Sequence, residues 1–157
     1  MAERIDTVDA LRERLGSHPI AMITTADDRG TLSSRPLTVQ EMDMSGNVRF
    51  LVDRNADWMQ NFEGAAANAS FTDESDCWVS VAGRLRVVDD PSLVERYSNV
   101  YTDAYFSEDS EPIVLEMRSD HIEWWATDGR LRQLIELAKA KVARRSPELG
   151  ESGTIET

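Results

Sequence analysis

The stretch Leu32–Gln40, LSSRPLTVQ, sets Arg35 and Pro36 inside a run that otherwise reads as a β-strand, between the apolar strands Ile20–Thr25 and Val48–Val52. Proline removes a ladder donor, so within a sheet it belongs at an edge, at a bulge, or where the backbone meets a ligand. An arginine beside it points to an anionic ligand. The competing reading is a solvated Arg35 on an exposed strand face, with Pro36 blunting a sheet edge.

Working outward from this strand, Val8, Leu11 and Leu15 fall at helical spacing, with Asp6 or Thr7 as cap and Gly16 as terminator. His18-Pro19 opens the strand Ile20–Thr25. Asp27-Asp28-Arg29-Gly30 then supplies turn chemistry before Thr31–Gln40, which predicts a hairpin. After Val48–Asp53, Asn55 or Asp57 caps a predicted helix with Trp58, Phe62 and Ala65 or Ala66 on its apolar face. Ala69–Thr72 and Cys77–Val88 read as strands, the second with Gly83 as a bulge or bend.

Asp90-Pro91 starts a helix over Ser92–Val100, followed by an aromatic and acidic loop, Tyr101–Glu111. Ile113–Arg118 and His121–Ala126 are the last two strands. A final helix runs from Gly129 to Arg144, since Leu131, Leu134, Ile135, Ala138 and Val142 share a face. Six to seven strands with peripheral helices and no β-α-β alternation predict a mainly β (α+β) fold, an antiparallel barrel rather than a doubly wound sheet. The barrel domain is expected over residues 1–145, and residues 146–157 are read as a polar C-terminal tail outside it.

The 157 residues suffice for one domain with a core that needs no disulfide or structural metal. A formal net charge of −12 repels nucleic acid and anionic membrane surfaces, so neither is an expected partner, and any bound phosphate needs a local cluster of cations. Cys77 is the single cysteine, consistent with a reducing cytoplasm. The N-terminal stretch is charged, and no window approaches the roughly 18 apolar residues that span a bilayer, so a soluble, cytoplasmic protein is expected.

His18 and His121 lie far apart without cysteine neighbours, so no metal site is expected. The chain also has neither a nucleophile elbow nor a Gly-rich phosphate loop. The acidic runs 73–76 and 107–111 read most simply as solvated loops.

The series AMITT, SSRPLTVQ, VRFLVDRN, SFTDES with CWVSVAG, and IEWW followed by GRLR resembles the flavin-binding split barrels of the pyridoxamine 5′-phosphate oxidase superfamily. The likeness is greatest to the general stress protein 26 branch and covers Val8 to Leu131. It implies an FMN-binding split barrel, with the cofactor in a cleft between the two subunits of a homodimer. It further implies an oxidoreductase that exchanges electrons with a small-molecule donor or acceptor.

Carried over by resemblance, Arg35 reaches the phosphate or ribityl chain, and Pro36, Leu37 and Thr38 lie along the isoalloxazine edge. Val52 and Asp53 flank the flavin, and Trp125 joins from the late strands, since alternation puts Trp124 on the opposite face. Arg130 and Arg132 resemble the arginines that follow this tryptophan in the larger oxidases, and Trp78 stands where the oxidases often use glutamine. Where the family commonly places lysine, this chain has Asp57 and Trp58. Arg54 is then the expected substitute cation, aided by backbone N–H groups at Trp58. A deazaflavin is the alternative cofactor, and a non-enzymatic scaffold with weak flavin affinity is the alternative function.

Overall fold

The computed structural model describes residues 7–60, 62–72, 77–126 and 151–156. Its elements are α1 (Val8–Leu15), β1 (Ile20–Ala26), β2 (Leu32–Met42), β3 (Val48–Asp53), a 3-10 turn (Asp57–Met59), β4 (Ala66–Thr72), β5 (Cys77–Val88), α2 (Pro91–Tyr97), α3 (Val100–Asp103), β6 (Pro112–Ala126) and β7 (Glu151–Glu156). Neighbouring strands pair antiparallel in the order β3-β2-β1-β4-β5-β6-β7, and a further β3–β6 pairing closes six of them into a barrel. β7 extends the sheet beyond it, along the C-terminal half of β6.

Strand alternation fills the barrel. Val48, Phe50 and Val52 of β3, Val79, Val81 and Leu85 of β5, and Leu115, Met117 and Ile122 of β6 are buried in one cluster with Ile23 and Val39. Each such side chain contributes about 1.5–3 kcal/mol of burial. Thr7 caps α1 by accepting the Ala10 N–H, and Leu11 joins the core. Asp90 caps α2, whose first residue is Pro91.

Glycine is required at one closure point. Ala82 pairs with His121 and Gly83 with Ser119, which leaves Asp120 as the extra residue of a β-bulge. A Cβ on Gly83 would lie 2.0 Å from the Arg118 carbonyl oxygen. Because this bulge bends β6 without breaking its ladder to β5, the two late strands expected from sequence are one 15-residue strand.

Three further expectations are corrected. The helix expected to carry Trp58, Phe62 and Ala65 or Ala66 is only a 3-10 turn, since Gly64 follows at φ 74° and Ala66 onward pairs with β5. Sheet pairing there outweighs the helix propensity of the alanines. The helix expected over Ser92–Val100 ends at Tyr97, and Val100–Asp103 forms a separate turn of helix. Residues 151–156, read as part of a polar tail, form β7. Ile155 enters the core there, and Gly153 lies against the Trp124 indole. The helix expected over 129–144, with Arg130 and Arg132, lies outside the described residues.

On the outward side of β6, Glu116 is 1% exposed and accepts from two arginines. Arg49 Nε reaches its Oε2 at 2.7 Å, and Arg86 reaches Oε1 through Nε at 2.7 Å and a terminal nitrogen at 2.6 Å. The Glu116 hydrogen bond holds the Arg49 guanidinium firmly in its charged form. Glu41 extends the network to Arg96 and the Tyr97 hydroxyl of α2. These partners satisfy the one charged side chain among the buried described residues.

Candidate functional site

β2 and β3 lead into a cleft of about 460 Å³ lined by residues that include Pro36, Leu37, Thr38, Leu51, Val52 and Trp58. That volume lies in the range of about 300–1,000 Å³ usual for small-molecule sites. Thr102, Tyr105 and Phe106 close the cleft from the α3 segment. They belong to the loop read from sequence only as aromatic and acidic. The aromatic pair Tyr105-Phe106 in a polar loop was the available signal, because apolar rings there need a surface to cover.

Asp53 also lines the cleft, but its carboxylate already has partners. It accepts the Glu111 and Asn55 N–H groups, each at 3.0 Å, and these hold it below the ordinary carboxylate range. Asp53 therefore anchors the start of β6 to the end of β3.

Arg35 lines an adjoining chamber of about 270 Å³, on the other side of Trp58. Arg35 shares its face of β2 with Leu37, which lines the cleft, but lies nearer the β1–β2 turn, beside Ser33 and Thr25. Its guanidinium donates to Thr25 Oγ1 at 3.0 Å and Ser33 Oγ at 2.7 Å, and lies 4.6 Å from the centroid of the Trp58 ring. Burial lowers its pKa. Trp58 in turn meets Phe62 edge to face at 5.4 Å, so the indole forms the partition between the two spaces.

Arg54, expected to substitute as a phosphate cation, lines neither space. Its Nε is 2.9 Å from Glu111, and a terminal nitrogen is 3.7 Å from Asp89. Trp125 is not among the described residues that line the cleft, and it stands opposite Trp78 on the outward face of β5 and β6, while Trp124 is buried. The ladder registers put Ile20 and Met22 on that same face. Ile20, Met22, Trp78 and Trp125 are 64%, 41%, 46% and 44% exposed. Among the described residues, no group of three or more His, Cys, Asp or Glu could hold a metal ion, and no helix is long and apolar enough to cross a membrane.

Comparison with known proteins gives one family and a consistent set of folds. A search of curated proteins finds no match. Among solved structures, a protein from Jannaschia sp. CCS1 provisionally named general stress protein 26 aligns with a TM-score of 0.66 at 21% identity, covering 92% of this chain and 94% of that one. A general stress FMN/FAD binding protein from Xanthomonas citri aligns with a TM-score of 0.62 at 24% identity, over 87% and 93% of the two chains. General Stress Protein 26 from Bacillus anthracis str. Sterne aligns at 0.61 and 13% identity, over 71% and 88%. The family model described as "Pyridoxamine 5'-phosphate oxidase like" matches residues 6–148, and the chain belongs to that family.

Proposed function

We propose that the chain is a flavin-binding oxidoreductase of the general stress protein type, acting as a cytoplasmic homodimer. The observation that carries this reading is the cleft itself. Pro36, Leu37, Thr38 and Val52, the residues expected along a flavin ring, line one space of suitable size. Leu37, Val52, Trp58 and Phe106 offer apolar surface to a planar ring, and strand backbone offers polar groups to its edge. The flavin supplies hydride or electron transfer when bound, and the chain orients the ring and covers it.

The outward face bearing Ile20, Met22, Trp78 and Trp125 supports dimerisation, because large apolar side chains exposed together on one sheet face mark an interaction surface. Pairing through this face brings a second copy close to Ile20, which also lines the cleft.

Two measurements test the reading. Purified protein titrated with FMN should quench flavin fluorescence saturably at micromolar concentration, and sedimentation should show a dimer. Absence of flavin binding would favour the scaffold function, and a monomer at micromolar concentration would remove the intersubunit cleft.

A further inference from the structure

The chamber beyond Trp58 has a lining that bears on which flavin the cleft accepts. Among the described residues its lining has one arginine, Arg35, and three aspartates, Asp27, Asp28 and Asp57. The Thr31 and Arg29 N–H groups hold Asp27 below the ordinary carboxylate range, so it stays charged at neutral pH. Arg35 already spends two donors on Thr25 and Ser33. The described residues of the larger cleft add Asp53 and no lysine, arginine or histidine.

A phosphate monoester carries about −1.5 to −2 charges at pH 7. Among the described lining residues it meets one cation and several carboxylates, a balance that opposes a dianion. A ribityl chain is better matched. Its hydroxyls donate to carboxylates, and they also accept from Arg35 and exchange hydrogen bonds with Thr25 and Ser33.

Resting on the flavin reading above, we propose that the site takes a flavin with an uncharged ribityl tail, riboflavin itself, in preference to its phosphorylated forms. The larger cleft holds the ring, and the tail passes Trp58 into the Arg35 chamber. Asp57 is then a specificity-determining residue, acting against phosphate by charge alone.

The test is a parallel fluorescence titration of the full-length protein with riboflavin and FMN at low and high salt. Riboflavin should bind about threefold to tenfold more tightly at low salt, with the difference shrinking as salt screens the carboxylates. Asp57→Asn should tighten FMN severalfold and shift riboflavin by less, narrowing or reversing the preference. Among the described residues the Asp57 side chain makes no hydrogen bond or ion pair, and it lies at the start of a 3-10 turn of three residues, so the variant is expected to fold. FMN binding more tightly than riboflavin, or an Asp57→Asn variant that shifts both ligands equally, would overturn the proposal. Failure of both flavins to bind would overturn the flavin reading instead.

Discussion

The Arg35 guanidinium lies 4.6 Å from the centroid of the Trp58 ring, with Phe62 edge-on to the same indole at 5.4 Å. A cation–π contact of this kind contributes about 0.5–2 kcal/mol, more when it is desolvated. Trp58→Leu removes it together with the aromatic pair. It should destabilise the protein by roughly 1–3 kcal/mol in urea unfolding. Trp58→Phe should recover part of the loss, and equal effects of the two substitutions would mean that the ring makes no specific contribution.

Glu116→Ala leaves the Arg49 guanidinium without its main partner in a half-buried position. Removing one member of a buried pair costs about 3–5 kcal/mol, and the lower end applies here because Arg49 keeps Glu41 at 3.6 Å. Arg86→Ala should cost roughly 1 kcal/mol, since the Arg86 side chain is 46% exposed and Glu116 retains Arg49. Chemical denaturation of both variants checks the order, and an Arg86 variant as damaged as the Glu116 variant would contradict it.

Gly83→Ala should be among the most damaging small substitutions. The added methyl would meet the Arg118 carbonyl oxygen at 2.0 Å, and backbone on both strands must move, at a cost of roughly 2–4 kcal/mol. Gly153→Ala differs in kind. Its Cβ would lie 2.8 Å from the Trp124 indole nitrogen, so the expected change is displacement of β7 and a shift in tryptophan emission, with smaller loss of global stability.

These positions also show what the sequence could and could not reveal. Two-residue alternation in Val48–Asp53 and Cys77–Val88 made the barrel strands legible, and Gly83 within the second marked the place of the irregularity, although the extra residue, Asp120, is on β6. The strand Glu151–Glu156 was hidden, because Ile155 is its only large apolar residue and the rest resembles a solvated tail. Ala65 or Ala66 read as part of a helix face because its spacing from Trp58 and Phe62 is helical, whereas the β5 partners Arg84 and Leu85 are distant in sequence. At the site, Pro36–Thr38 and Val52 line one cleft. Arg54 does not, because ion pairs with Glu111 and Asp89 depend on tertiary neighbours that no local pattern displays.

Stability should fall on the acid side through the Glu41 network. Burial pushes Glu41 up, but the Tyr97 hydroxyl together with Arg96 and Arg49 outweighs it and holds the carboxyl below its ordinary 4.5. Asp43 behaves alike, with burial outweighed by hydrogen bonds from Asn47 and the backbone, and sits below 3.8. A carboxylate whose pKa is depressed on folding binds fewer protons in the native state than in the unfolded chain. Its contribution is therefore complete above the unfolded value and disappears as pH falls through the folded one. The urea midpoint should be level near neutrality and decline below about pH 4.5. Glu41→Gln should lower the neutral plateau and flatten the decline, because the substituted side chain no longer titrates. An acid limb as steep in this variant as in the native protein would show that the Glu41 pairing with α2 does not set the acid sensitivity.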